Sequence, residues 1–256
     1  MIKKRVGIMG AGTIGRTLID ALTRLDTVEI VFVFDQQPAL DNNFGLPSNV
    51  FVSEEEKLLD IPVDLVIEAA VPSIVAQFAP RFLKTSDFCA FSCTALADSR
   101  TEQAIKEASL AFGRRFYVPH GAVLGLDGIT DGRELIEKLT ITTTKSGKSL
   151  GLDPNAEGVV FEGTAREVCA RFPRNVNVHA ALAIAGIGFD RTASRIVAVP
   201  GQVANEHAIV VEGNGFAWDL KITSQSLGGV TGAYTPHSAV GSIMRILSRD
   251  PGVIVV

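Results

Sequence analysis

Apolar and polar positions alternate in blocks over the first half of the chain. RVGIM (residues 5–9) is a short apolar run that predicts a strand. TIGRTLIDALTRL (13–25) follows, with Ile14, Leu18, Leu22 and Leu25 at helical spacing. VEIVFVFD (28–35) is β-branched and aromatic, and continuous enough to predict a strand buried on both faces. VDLVIEAA (63–70) reads as another buried strand and SIVAQFAPRFLKT (73–85) as a helix despite Pro80. DFCAFSC (87–93) reads as a strand, SRTEQAIKEASLAFG (99–113) as a helix and RRFYVP (114–119) as a strand. Strand and helix in alternation predict a Rossmann-type α/β domain with a doubly wound parallel sheet.

The texture changes at HGAVLGLDGITDG (120–132), where a domain switch is expected. KLTITTTKS (138–146) predicts a half-exposed strand of threonines. GVVFEG (158–163) is a short strand, and TAREVCARF (164–172) and NVNVHAALAIAG (175–186) are helices. SRIVAVP, EHAIVVEG and FAWDLKIT follow as three strands, and SAVGSIMRILSR (238–249) closes the chain as a helix. The second region therefore reads as an α+β domain, a mixed sheet with helices on one face. The expected domains are residues 1–119 for dinucleotide binding and 120–236 for catalysis and oligomerisation, with the helix at 237–249 packing back onto the first.

Composition narrows the class. With 256 residues, 46% hydrophobic and 20% charged, the chain can bury a sizeable core. A net charge of −4 with no basic block argues against nucleic acid as a partner. Cys89, Cys93 and Cys169 are too few and too scattered for a disulfide framework or a zinc site. They are expected to be non-catalytic. No stretch approaches the roughly 18 apolar residues of a membrane span, and the N-terminal run is too short and glycine-rich for a signal peptide. A soluble, cytoplasmic protein with no bound metal is expected.

Candidate chemistry begins between the first strand and the first helix. Gly10, Gly12 and Gly15 form G-x-G-x-x-G. The first glycine permits a tight turn, the second lets backbone N–H groups approach a pyrophosphate, and the third permits close helix–strand packing. The segment Gly10, Ala11, Gly12, Thr13, Ile14, Gly15 is thus a phosphate cradle at a helix N-terminus. The second strand ends at Asp35, placed to accept hydrogen bonds from an adenosine ribose. Gln36 and Gln37 follow, so a 2′-phosphate would meet negative charge and no arginine. NAD is favoured, with NADP possible.

The four histidines are His120, His179, His207 and His237. His179 lies in an alanine-rich helix and reads as a packed or helix-surface residue. His207 stands just before an apolar run, at a strand mouth, where it is either a surface residue or a functional one.

FPRNVNVHAALAIAGIGFDRT and ANEHAIVVEGNG, with IEAAVP, SCTALAD and HGAVLGLDGI, resemble the L-aspartate dehydrogenase family over nearly the whole chain. The resemblance implies NAD(P)-dependent oxidation of L-aspartate to iminosuccinate, which hydrolyses to oxaloacetate and ammonia or feeds the quinolinate route to NAD. The reverse reaction is also implied. It matches His207 to the catalytic histidine, and Ala122 and Asn177 to cofactor contacts; Ala70 is also expected against the cofactor. A homo-oligomer, dimer or tetramer, is implied. A neutral imidazole at His207 would take the proton released as C=N forms, or shuttle it through water, giving a rate that rises with pH through an apparent pKa near ~6–8. The two substrate carboxylates need cationic or N–H partners, for which Arg174, Lys145, Lys221 and His237 are candidates. The sequence departs from the family in YTPHSAVGS, where Thr235 replaces asparagine and His237 a basic residue. Further departures are His120, where the family has serine, and Cys93–Thr94, where valine–glycine is common. His120 and His237 are either substrate ligands or neutral replacements. The alternative reading is a dehydrogenase or imine reductase for another amino acid; a non-catalytic NAD(H)-binding regulator is the more distant one.

Overall fold

A computed structural model describes residues 2–35, 44–227 and 231–248. Gln36 and Gln37, and the last residue of the expected closing helix, lie outside the described residues. The chain divides into two units: residues 1–119 with 239–248, and a second unit that includes residues 120–238.

The first unit runs β1 (Lys4–Met9), α1 (Thr13–Thr23), β2 (Val28–Phe34), β3 (Phe51–Val52), α2 (Glu55–Leu58), β4 (Leu65–Glu68), α3 (Pro72–Phe82), β5 (Asp87–Ala90), α4 (Ser99–Phe112) and β6 (Phe116–Tyr117). All six strands are parallel, in the order β3-β2-β1-β4-β5-β6. That is the doubly wound order, and its direction reverses between β1 and β4, where the carboxyl ends of the strands open a crevice for a ligand. β4 is buried at every position and β1 at its last four, as expected of strands covered on both faces. α1 lays Leu18, Ile19 and Leu22 on the sheet and turns the Asp20–Arg24 ion pair outward. α3 tolerates Pro80 because it sits near the C-terminal end, where few later turns depend on it.

The expected strand at 87–93 is shorter than its apolar run. It stops at Ala90, and residues Cys93–Ala97 wind into a buried 3-10 turn. Continuous apolarity reflected burial there, not extension.

The second unit runs α5 (Leu126–Gly132), β7 (Ile136–Lys145), α6 (Gly147–Leu150), β8 (Gly158–Thr164), α7 (Ala165–Arg171), α8 (Asn177–Ala185), β9 (Thr192–Ala198), β10 (Ala204–Gly213) and β11 (Phe216–Gln225). Its sheet has the order β11-β10-β7-β9-β8. β7 is parallel to β9 and antiparallel to β10, so the sheet is mixed. The threonine-rich strand is therefore the central one. One face of it, Leu139, Ile141, Thr143 and Lys145, alternates with half-exposed residues. The aliphatic half packs with Ile209 and Val211 of β10 against Leu182 and Ala185 of α8 and Ile129 of α5.

α9 (Thr235–Leu247) starts two residues before the expected helix. Its Ala239 and Ile243 belong to the core cluster of the first unit, with Val6, Leu18 and Ile67.

Candidate active site

In the first unit the glycine loop leaves β1 with Gly10 at φ +97°, where a Cβ would stand 2.6 Å from the Ala69 carbonyl oxygen. A Cβ on Gly15 would stand 2.0 Å from the Gly10 carbonyl oxygen, so α1 can approach the loop only without one. Gly12, by contrast, is exposed, and a Cβ there would meet nothing within 4 Å. Gly12 is also the N-cap of α1, with no side-chain cap and no acidic residue in the first turn. Thr13 is exposed at the helix start, and Ile14 packs half-buried against the core. Open space in front of uncapped N–H groups suits a diphosphate.

Asp35 follows β2, and its Oδ2 accepts the Ala11 N–H at 2.7 Å. The acid expected at the ribose thus also fastens the loop. These residues fit a dinucleotide: the cradle is open where the phosphates approach and closed where the helix must pack.

The sequence reading passed over Glu68. This carboxylate is fully buried at the end of β4, where Oε1 accepts the Ala70 N–H at 2.7 Å and Oε2 the Ser92 N–H at 3.0 Å. It ties the turns after β4 and β5 together on the carboxyl edge of the sheet, and holds the backbone of Ala70, whose own side chain is exposed. Burial pushes Glu68 up to about 7 against the pull of its N–H donors. The signal was an acid ending an otherwise apolar strand, LVIE.

In the second unit the sheet face that is aliphatic along Leu139 and Ile141 becomes polar one step further on. Thr143, Lys145, Asn205, His207 and Ser194 are all nearly sealed there. His207 is the fourth residue of β10, paired directly opposite Thr143 of β7, and only 3% exposed. This corrects its expected position at a strand mouth: the strand begins at Ala204, and polar Asn205 and Glu206 belong to it. Thr143 Oγ1 lies 2.8 Å from His207 Nδ1 and 2.7 Å from His179 Nε2. His179 Nδ1 lies 3.0 Å from Ser194 Oγ. His179 is packed, as one of its readings held, but it is wired to His207 as well.

Burial and the neighbouring Lys145 charge depress His207 to about 3, and His179, fully buried, is held well below its ordinary value. His207 is therefore neutral across the physiological range, and a rate limb at ~6–8 does not belong to it.

The four cationic candidates separate clearly. Arg174 and His237 are exposed. Lys221 is exposed and paired with Glu206 at 3.2 Å. Lys145 is 3% exposed, and its Nζ donates to the Asn175 carbonyl at 3.3 Å with no carboxylate partner among the described residues. Desolvation brings Lys145 down to about 8. Asn175, whose carbonyl accepts from Lys145, also has a buried Oδ1 without a partner among the described residues. Asn177 opens α8 half-buried.

His120 is half-buried, with Nδ1 2.9 Å from the Val123 carbonyl and its ring 6.4 Å from that of Tyr234. Ala122 sits in the same turn, and Ser238 donates to the Gly121 carbonyl at 2.5 Å. His120 is thereby a turn-bracing residue on its Nδ1 side. All three cysteines are buried, and burial pushes Cys169 up to about 12. No group of three or more His, Cys, Asp or Glu among the described residues is placed to hold a metal ion. No helix among them is long and apolar enough to cross a membrane.

Residues 127–246 match the family model described as aspartate dehydrogenase, C-terminal. Residues 10–119 match the model described as homoserine dehydrogenase, NAD binding domain. L-aspartate dehydrogenase 1 of Bordetella pertussis is 34% identical over 216 residues, 82% of each chain. L-aspartate dehydrogenase of Archaeoglobus fulgidus is 32% identical over 243 residues, 94% of this chain and 95% of that one. The crystal structure of aspartate dehydrogenase from Thermotoga maritima superposes with a TM-score of 0.78 at 27% identity, covering 98% of this chain and 99% of that one. The chain belongs to the L-aspartate dehydrogenase family.

Proposed function

We propose that the protein is an NAD-dependent L-aspartate dehydrogenase, converting L-aspartate to iminosuccinate or running the reverse. The observation that carries this reading is the buried pair Lys145 and His207. A cation with no acid partner among the described residues, set beside a neutral imidazole on a polar patch of an otherwise aliphatic sheet face, is built for an anionic substrate.

The residues divide the work. Gly10, Ala11, Gly12, Thr13, Ile14 and Gly15 hold the dinucleotide phosphates through backbone N–H groups, and Asp35 holds the adenosine ribose and disfavours a 2′-phosphate. Ala70, Ala122 and Asn177 line the cofactor. Bound there, a nicotinamide would supply the hydride acceptor for the substrate Cα. Lys145 receives a substrate carboxylate, and a charge-assisted hydrogen bond in that dry setting is among the stronger ones available. His207 touches the substrate through Nε2, either as a base or as a hydrogen-bond donor, according to where its ring proton sits. Arg174 and His237, both exposed, serve the substrate only if a second carboxylate reaches them. Three buried free cysteines fit a reducing, cytoplasmic setting. Assembly as a homo-oligomer, dimer or tetramer, is part of the same reading and is measured by sedimentation equilibrium.

The test is initial rate. L-aspartate with NAD, and oxaloacetate plus ammonia with NADH, should both turn over, NADP being the poorer cofactor. His207→Ala should lower kcat by ~10²–10⁴ and leave the NAD dissociation constant unchanged. Turnover of a neutral amino acid in preference to aspartate would overturn the substrate assignment.

A further inference from the structure

The four groups Ser194, His179, Thr143 and His207 form one unbranched hydrogen-bond chain. Each of the first three has no side-chain partner outside it among the described residues. Two rules of inventory fix its direction. A neutral imidazole carries one N–H and one lone pair, and a hydroxyl donates once. A buried donor left without an acceptor costs its full desolvation, whereas an acceptor left over costs less.

Suppose Ser194 donates to His179 Nδ1. His179 Nε2 then carries the proton and donates to Thr143, and Thr143 donates to His207 Nδ1. Every buried donor has an acceptor, and the His207 proton sits on Nε2. Now reverse the chain. His207 Nδ1–H donates to Thr143, Thr143 to His179 Nε2, and His179 Nδ1–H to Ser194. The Ser194 hydroxyl proton is then stranded in a residue 2% exposed. If both histidines donate to Thr143, the Thr143 proton is stranded instead, in a residue 0% exposed. Only the first arrangement strands no sealed donor. The N–H it leaves over, at His207 Nε2, has no partner among the described residues, and Nε2 is not among the polar atoms sealed from solvent without one.

We infer that Thr143, His179 and Ser194 are positioning residues that lock His207 in the Nε2–H tautomer, so that it meets the substrate as a neutral hydrogen-bond donor rather than as its base. The inference rests on the proposed dehydrogenase reading for the identity of the substrate, though not for the tautomer. No proton is transferred at His207: it keeps its N–H and donates to a substrate oxygen. The ammonium proton goes to solvent or to another base. The depressed basicity of the buried ring agrees with this, since an imidazolium beside Lys145 is strongly disfavoured.

The experiment combines nitrogen NMR of the histidine rings with kinetics. In the wild-type protein, His207 Nδ1 should give the signal of an unprotonated ring nitrogen and Nε2 that of a protonated one. Thr143→Val, which removes the donor and keeps the shape, should mix the tautomers and lower kcat at least ~10-fold, with the KM for NAD unmoved. Thr143→Ser should restore both. His207→Gln, which retains an N–H near the Nε2 position, should stay at least ~10-fold faster than His207→Ala. A proton on Nδ1 in the wild type overturns the inference, and so does a Gln variant as slow as the Ala variant while both are folded. If aspartate is not turned over at all, the function falls, and the wild-type ring signals still decide the tautomer.

Discussion

A single lysine shows how far residue identity is from residue chemistry. Lys145 was one of four cations that the sequence could not rank, and burial ranks it first. Removing an ammonium from water without an acid beside it is costly unless a ligand supplies the charge, so the site is poised for an anion. Lys145→Met should raise the KM for L-aspartate about 10–150-fold, the equivalent of roughly 1.5–3 kcal/mol for a hydrogen bond to a charged group, with NAD affinity unchanged. In the wild type, aspartate affinity should weaken as pH rises through about 8, where the amine loses its proton. In Lys145→Arg that loss should vanish from the accessible range, and steady-state KM across pH checks both. Asp35, proposed to hold the ribose, also accepts the Ala11 N–H at 2.7 Å. Asp35→Ala should weaken NAD binding by roughly 1–3 kcal/mol and narrow its margin over NADP, measured by fluorescence titration of both reduced cofactors. A wild type that prefers NADP would refute this reading of β2.

At the scale of elements, the first unit gathers its polar groups where strands end, and the second inside its sheet. β4 and β5 are parallel neighbours whose following turns carry backbone N–H groups that no ladder satisfies, and Glu68 accepts one from each. Deleting that acceptor leaves two donors in need of partners at about 1–3 kcal/mol each. Glu68→Ala should therefore lower unfolding stability by about 2–6 kcal/mol and, by loosening Ala70, weaken NAD binding as well. Urea titration with and without saturating NAD separates the two effects. In the second unit, β7 supplies Thr143 and Lys145, β10 supplies His207, β9 supplies Ser194, and α8 lays His179 across them. The cluster draws on residues from 143 to 207, and Thr143 and Lys145 meet the others only because β7 is the central strand.

For the whole molecule, the buried titrating groups set the response to acid. Between pH ~4.5 and ~6.5 His207, depressed to about 3, is neutral when folded and protonated when unfolded, and His179, held well below its ordinary value, acts in the same direction. Glu68, raised to about 7, does the reverse over the same window, being protonated when folded and ionised when unfolded. His207 and Glu68 roughly offset each other, and His179 tips the balance towards proton uptake on unfolding, so stability should rise with pH there. Urea midpoints at half-unit pH intervals check the slope. His207→Gln should flatten it, and Glu68→Gln should steepen it.

The sequence by itself determined the alternating α/β unit, the mixed second sheet, the glycine cradle and its acid. Those features are local: periodicity, a strand-to-helix loop and one strand's end each lie within a few dozen consecutive residues, where backbone geometry and burial leave a readable pattern. It also placed His207 among the candidates, although through family resemblance and not through any pattern of its own, and it misjudged the position because polar residues inside β10 imitate a loop. What only the tertiary structure decided is which polar residues share a dry patch. Lys145 parted from Lys221, His179 joined to His207, and Glu68 set between two turns all depend on strand order and register. A strand tells from its own residues that one face is buried, but not which strands lie beside it.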